Sequence, residues 1–234
     1  MAANPAYPLI KHLWYEVCRT PVCLFALLAY RARYSGIHNI PMEGPALMVS
    51  NHQSHLDPPL VGCGCPRQMN FLARDTLFRF APFGKLIRSV NAIPIDREGG
   101  GLAGIKETLR RLKRGEMVLV FPEGTRTRDG EIQRFRPGFT TLAVRSKAAI
   151  LPAAIEGAFD AWPRWQKFPR PGVVHVHYGH PILPSQFHGL EESELLAEVE
   201  RRVRECQFLL RQHPTLASRR RRCNCGHGGG LLYS

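Results

Sequence analysis

The heptapeptide Asn51-His52-Gln53-Ser54-His55-Leu56-Asp57 lies directly after the apolar run Ala46-Leu47-Met48-Val49. A short apolar run that is preceded by Gly44-Pro45 and ended by polar residues is typical of a buried β-strand. In α/β sheets, catalytic and binding groups collect where strands end. The sequence therefore predicts an α/β fold in which His52 and Asp57 stand just past the end of a strand.

The spacing of His52 and Asp57 indicates how the two side chains can meet. On a continuous helix, positions five apart point about 140° apart, because each residue turns the chain by ~100°. Pro58 disfavours helical backbone at Asp57, so the carboxylate can fold back toward the imidazole. His52 would then act as a general base, with Asp57 fixing its tautomer and stabilising the imidazolium. The alternative is that Asp57 caps a helix that begins at Pro58.

A second apolar run, Met117-Val118-Leu119-Val120-Phe121, precedes Pro122-Glu123-Gly124-Thr125-Arg126. Together with His52-x4-Asp57, this block resembles the glycerolipid acyltransferases, in particular the 1-acylglycerol-3-phosphate acyltransferases. Two weaker blocks, residues 92–97 (Ala-Ile-Pro-Ile-Asp-Arg) and 151–155 (Leu-Pro-Ala-Ala-Ile), follow in the family's order. The resemblance extends over roughly residues 35–185.

The resemblance implies a reaction and its substrates. A fatty acyl group would pass from an acyl thioester, acyl-CoA or acyl carrier protein, to the free hydroxyl of 1-acylglycerol 3-phosphate, a lysophosphatidic acid. The product would be phosphatidic acid, in phospholipid biosynthesis. Glycerol 3-phosphate or another lysolipid is the alternative acceptor. No Gly-x-Ser-x-Gly nucleophile elbow is present, so we expect His52 to remove the proton of the acceptor hydroxyl itself.

The acceptor's phosphate needs cations. We expect Arg97, Arg126 and Arg74 to hold it through charge-assisted hydrogen bonds. The resemblance implies that Glu123 and Gly124 seat the polar headgroup, with Thr125 in the same loop. No metal ion and no bound cofactor is required by this scheme.

The net charge and the cysteine content limit the remaining classes of partner and ligand. A net charge of +13 and a pI of about 9.9 predict an anionic partner: nucleic acid, an anionic membrane or a phosphorylated substrate. A nucleic-acid-binding protein is the alternative of another class. Its recognition modules and stacking aromatics are not apparent, so no nucleic acid is expected. Seven cysteines without a secretory signal predict reduced thiols, and their spacing does not match a zinc site.

Strands and helices alternate through most of the chain. This pattern predicts a single α/β domain with a mixed, mostly buried sheet of about seven strands flanked by helices. We expect this acyltransferase domain at residues 34–213, after an N-terminal amphipathic region at 1–33. Residues 214–234 are basic and glycine-rich, which predicts a disordered tail.

Apolar residues recur at helical spacing between Leu9 and Leu28. The wholly apolar part, residues 22–30, reaches only ~14 Å as a helix, whereas a bilayer core is about 30 Å thick. We therefore expect a helix that lies in an anionic membrane surface, which would make the protein peripheral or monotopic on the cytoplasmic face. The alternative is a helix packed on the protein's own core. Pro21 is expected to kink or divide the helix.

Overall fold

The computed structural model describes residues 7–96 and 101–213. Arg97 and the basic segment 214–234, for which a phosphate contact and a disordered tail were predicted, lie outside the described residues.

A seven-stranded mixed sheet organises the described part of the chain, in the strand order β1-β7-β6-β2-β5-β3-β4. The five strands β6, β2, β5, β3 and β4 run parallel to one another, whereas β7 is antiparallel to β6 and β1 pairs parallel with β7. This architecture confirms the predicted α/β class. The strands are β1 (Arg33–Ser35), β2 (Ala46–Ser50), β3 (Met69–Arg74), β4 (Ala92–Ile95), β5 (Met117–Val120), β6 (Ala149–Glu156) and β7 (His175–Tyr178).

Helices cover both faces of the sheet, which explains why the central strands are apolar on both sides. Ala46 and Met48 of β2 pack in one core cluster with residues of α1 and α2, while Leu47 and Val49 pack in another with residues of α4, α5 and α8. The helices are α1 (Leu9–Tyr30), α2 (Asp57–Cys63), α3 (Ala81–Ser89), α4 (Leu102–Lys113), α5 (Phe139–Ser146), α6 (Ala158–Ala161), α7 (Pro184–Phe187) and α8 (Glu192–Gln212).

Strands β1 and β7 run antiparallel to the five parallel strands, and this direction determines the edge of the sheet at which α1 ends. Arg33 of β1 is paired with His175, and His175 is paired with Glu156, the last residue of β6. The last turn of α1 therefore reaches the sheet at the edge where the five parallel strands end. The same edge carries the loop that follows β2.

Helix α1 runs without interruption through Pro21, so the proline does not divide the helix. Pro21 lies on the exposed side of the helix. The polar side of α1 faces the protein: Arg19 donates from Nη2 to the carbonyl oxygen of Cys63 at 3.0 Å and from Nη1 to Glu16 at 2.8 Å. Arg19 thus binds the carbonyl end of α2, where a cation is favourable.

The opposite side of α1 is apolar and exposed. Its exposed large side chains are Leu9, Ile10, Leu13, Trp14, Val17, Val22, Leu24, Phe25, Leu27 and Leu28. None of the helices formed by residues 7–96 and 101–213 combines the length and apolarity needed to cross a membrane.

Candidate active site

Asn51 fixes the direction in which the chain leaves β2. Its Nδ2 donates to the carbonyl oxygen of Ile155 on β6 at 3.0 Å, and its Oδ1 accepts from the Ile155 N–H at 2.9 Å. Asn51 is buried, so these two bonds satisfy backbone groups that would otherwise lack partners. The side chain continues the pairing of β2 with β6 by one residue, and His52 follows at a defined position.

His52 and Asp57 are in direct contact. His52 Nδ1 lies 2.7 Å from Asp57 Oδ2. The same carboxylate oxygen accepts from the backbone N–H groups of Gln53 and Ser54, at 2.6 and 2.8 Å. Both N–H groups precede Asp57, and α2 has no side-chain cap. The fully buried carboxylate therefore orients the imidazole and does not cap α2.

This contact also selects the tautomer of His52. An ionised carboxylate can only accept hydrogen bonds, so the proton of a neutral His52 must reside on Nδ1. The lone pair is then on Nε2, the nitrogen away from Asp57. The pair has the arrangement of an oriented general base.

The loop after β5 holds His52 from a second direction. The ring of Phe121 is stacked on the imidazole, with centroids 4.2 Å apart and an interplanar angle of 17°. Glu123 Oε1 accepts from the backbone N–H of His52 at 2.7 Å, and the Thr127 N–H donates to the His52 carbonyl oxygen at 2.8 Å. The two sequence blocks therefore form one unit.

Glu123, which is predicted to help seat the substrate headgroup, lies against the backbone of the site loops. Its side chain is buried, and its second oxygen, Oε2, accepts from the Gln133 N–H at 3.0 Å. Burial raises the pKa of Glu123 to about 7, although the two N–H donors act in the opposite direction. Both carboxylate oxygens of Glu123 therefore bind backbone N–H groups, and one of these belongs to His52.

Gly124 is required by the geometry of the same loop. Its φ of +71° lies in the left-handed region, and a Cβ built there would stand 3.2 Å from Cζ of Arg136. The absence of a side chain lets the Arg136 guanidinium lie against the loop. Thr125 is exposed and Arg126 half-buried at its tip.

A cleft of about 610 Å³ opens at this edge of the sheet and joins both blocks. Four predicted residues besides His52 line it, namely Arg74, Gly124, Thr125 and Arg126. Its lining also includes the apolar residues Pro58, Phe71, Leu72, Leu77, Ile95 and Ile105. The cleft therefore combines a histidine, several guanidinium groups and an apolar surface.

Three further basic residues line the cleft that the sequence interpretation did not assign to the site: His55, Arg136 and Arg164. Arg136 lies ten residues past Arg126 in a basic stretch, a signal that could have identified it. Arg164 follows α6, and no local pattern places it near His52. Burial, followed by the charges of Arg126 and His52, lowers the pKa of His55.

The fold and this cleft define an α/β enzyme in which an oriented histidine lies beside a cationic binding surface. The sequence profile of the family described as Acyltransferase matches residues 31–156. The chain is 33% identical over 194 residues to a 1-acyl-sn-glycerol-3-phosphate acyltransferase of Pseudomonas aeruginosa, covering 80% of this chain and 71% of that protein. It is 28% identical over 203 residues to the protein of the same name in Bacillus subtilis, covering 85% and 99%.

A solved structure gives the same result for the fold. The crystal structure of the 1-acyl-sn-glycerophosphate (LPA) acyltransferase PlsC from Thermotoga maritima superimposes with a TM-score of 0.72 at 27% identity, covering 83% of this chain and 80% of that one. The chain belongs to the acyltransferase family and is an O-acyltransferase.

Proposed function

We propose that this protein transfers a fatty acyl group from an acyl thioester to the free hydroxyl of 1-acylglycerol 3-phosphate, which yields phosphatidic acid. The observation that carries the proposal is one cleft lined by His52, by several arginines and by apolar side chains. Each part corresponds to a part of the substrates: hydroxyl, phosphate and acyl chain. The names of the relatives agree with this assignment.

His52 acts as the general base. Its Nε2 removes the proton of the acceptor hydroxyl while the hydroxyl oxygen attacks the thioester carbonyl carbon. The new C–O bond forms, the C–S bond breaks, and the imidazolium returns the proton to the departing thiolate. Asp57, 2.7 Å from Nδ1, stabilises the imidazolium in between. Base catalysis of this kind contributes roughly 10²–10⁴-fold, so positioning must supply much of the rest.

The arginines of the cleft hold the phosphate of the acceptor. Arg126, Arg136 and Arg164 line it together, and Arg74 lines it from the end of β3. Guanidinium groups bind phosphate oxygens in a bidentate manner. Because a phosphate fixed in this way defines the position of the glycerol hydroxyl, the arginines contribute to rate as well as to affinity.

The substrates are amphiphiles, so the enzyme works at a lipid surface. We propose that it associates with an anionic membrane on the cytoplasmic face; the exposed apolar side of α1 supports the contact with lipid. The donor is acyl-CoA or acyl carrier protein. Neither a metal ion nor a bound cofactor takes part in the proposed steps.

A second acceptor has one specific observation in its favour. The chain is 30% identical over 203 residues to a lyso-ornithine lipid O-acyltransferase of Pseudomonas aeruginosa, covering 79% of this chain and 75% of that protein. The same base could therefore serve another lysolipid. An acceptor panel that includes glycerol 3-phosphate separates these possibilities.

The test is a thiol-release assay with lysophosphatidic acid and the two donors, on wild type and on His52→Ala. We expect release with wild type and none above background with a folded His52→Ala protein. Full activity of His52→Ala would eliminate the mechanism. Release with another acceptor of the panel but not with lysophosphatidic acid would eliminate the substrate assignment and leave the chemistry.

A further inference from the structure

Residues 162–170, here the aromatic loop, expose two large aromatic side chains beside the cleft. Trp165 is 66% exposed and Phe168 is 70% exposed. Such rings contribute most to stability when they are buried, so their exposure requires an explanation. Three cations alternate with them, Arg164, Lys167 and Arg170, and no acidic residue occurs between Asp160 and Glu191.

The loop is held in a fixed shape. The Arg170 N–H donates to the carbonyl oxygen of Ala161 at 2.8 Å, which closes the loop at its base. Inside it, Trp162 Nε1 donates to the Gln166 carbonyl oxygen at 2.9 Å. The Phe159 ring packs edge-to-face on Trp165 at 5.4 Å. The exposed rings therefore project from an ordered support.

The loop also forms the rim of the catalytic cleft. Arg164 lines the cleft, and the Trp162 carbonyl oxygen accepts from Ser54 Oγ at 3.0 Å, two residues after His52. The His55 ring lies 5.3 Å from the ring of Trp162. Any surface that meets Trp165 and Phe168 is thus brought close to the cleft opening.

The loop is continuous with the end of α1. Just after it, the Gly172 N–H donates to the Ala29 carbonyl oxygen at 3.1 Å, and the Val174 N–H to that of Tyr30 at 3.0 Å. The neighbouring turn of α1 exposes Leu27 and Leu28. The segment that follows the loop is therefore hydrogen-bonded to the end of α1, whose exposed residues are apolar.

We propose that the aromatic loop is a second membrane contact, which inserts Trp165 and Phe168 into the interface and pairs Lys167 and Arg170 with anionic lipid headgroups. Tryptophan with neighbouring lysine and arginine is the composition that membrane–water interfaces favour. A nucleotide ligand is less suited, because ligand sites enclose most of their ligand and both rings are largely open. The consequence for the reaction, which rests on the proposed function, is that the acceptor enters the cleft without leaving the lipid surface.

Tryptophan fluorescence tests the contact without reference to activity. The chain has three tryptophans, Trp14, Trp162 and Trp165. One protein carries Trp14→Phe and Trp162→Phe, and its matched control carries Trp14→Phe and Trp165→Phe. If the change at Trp162 disturbs the loop, the emission of the single variant Trp165→Phe is subtracted from that of wild type, and the difference is the Trp165 signal. The probes are phosphatidylcholine vesicles with and without phosphatidylglycerol, containing lipids brominated on their acyl chains.

We expect Trp165 emission to shift to shorter wavelength and to be quenched by the brominated lipid, more strongly with phosphatidylglycerol, while Trp162 is affected little. Protein that sediments with the vesicles while Trp165 is neither shifted nor quenched would overturn the proposal. The fluorescence measurement does not involve the acceptor. Its result therefore tests the membrane contact independently of whether the proposed function is correct.

Activity provides the second test. Trp165→Ala with Phe168→Ala should lower the rate on vesicle-embedded acceptor by about tenfold, and leave the rate on a short-chain, monomeric acceptor within about twofold. The control, Phe208→Ala with Leu209→Ala on α8, removes side chains that are 62% and 53% exposed and should change neither rate. A higher KM for acyl-CoA with both acceptor forms would instead assign the loop to the donor and overturn the membrane contact.

Discussion

Asp57→Asn should separate the orientation of His52 from its electrostatic support. Three donors converge on Asp57 Oδ2: His52 Nδ1–H and the N–H groups of Gln53 and Ser54. The amide oxygen of asparagine can take that position and accept from the same donors. The amide nitrogen then occupies the place of Oδ1, which has no hydrogen-bond partner within the part of the chain that the structure describes.

The variant therefore keeps the Nδ1–H tautomer but lacks the negative charge beside the imidazolium. Two unit charges about 4 Å apart at an effective dielectric constant of about 20 interact by about 4 kcal/mol. That energy corresponds to roughly a thousandfold in rate. Leaving the buried amide N–H₂ without an acceptor should lower the free energy of unfolding by about 1–3 kcal/mol.

The assay is kcat from thiol release at saturating substrates, with thermal unfolding measured on the same samples. Asp160→Asn changes an exposed carboxylate of α6 and should match wild type in both measurements. A loss of kcat below tenfold in Asp57→Asn would refute the electrostatic role of Asp57. A large loss accompanied by collapse of the fold would show that the carboxylate chiefly holds the loop together.

Three further predictions concern the loop after β5. Arg126→Ala should raise the KM for a phosphorylated acceptor at least tenfold, with little effect on the KM for the donor. The control is Arg134→Ala, because Arg134 is an exposed neighbour that does not line the cleft, and this variant should leave the acceptor KM unchanged. An acceptor KM of Arg126→Ala equal to that of wild type would exclude Arg126 from the phosphate site. The pKa of Glu123 is raised from 4.5 in the unfolded chain to about 7 in the folded protein. Between these two values the folded state keeps a proton that the unfolded chain releases. The free energy of unfolding should therefore fall as the pH rises from about 4.5 to about 7. Glu123→Gln does not titrate and serves as the reference. Relative to it, the free energy of unfolding of wild type, measured by chemical denaturation, should fall by about 3 kcal/mol between pH 4 and pH 8. If the free energies of unfolding of the two proteins change with pH in parallel, the raised pKa of Glu123 is contradicted. Gly124→Ala should cost about 1–2 kcal/mol in unfolding free energy because φ is +71° and the new Cβ crowds Arg136; unchanged stability would contradict the strain.

Much of the site could be predicted because its signals are local. The strand of residues 46–50, the polar stretch after it and Pro58 are adjacent in sequence, and together they indicate a bent loop that carries His52 and Asp57. Parallel strands end at a common edge, so two blocks that each follow a strand are expected to meet there. The fold class follows from the same alternation of strands and helices.

The hydrogen bonds of Glu123 could not be predicted from such local signals. Its bond to the backbone of His52 joins residues 71 positions apart, and an acidic residue in a Gly-containing turn is ordinarily read as exposed. Arg164 reaches the cleft only because the aromatic loop folds back over the sheet edge, which no periodicity encodes. The apolar and polar sides of α1 were visible in the sequence, but which side faces the protein is decided by the carbonyl groups of α2 that Arg19 binds.

The reversed direction of β1 has a kinetic consequence. Since α1 arrives at the edge from which His52 emerges, a protein resting on lipid through that helix keeps its catalytic opening at a constant height above the bilayer. The acceptor then searches for the enzyme by lateral diffusion in two dimensions, and encounter frequency depends on its mole fraction in the leaflet rather than on its bulk concentration. Diluting the acceptor with inert lipid at constant total acceptor should accordingly slow turnover.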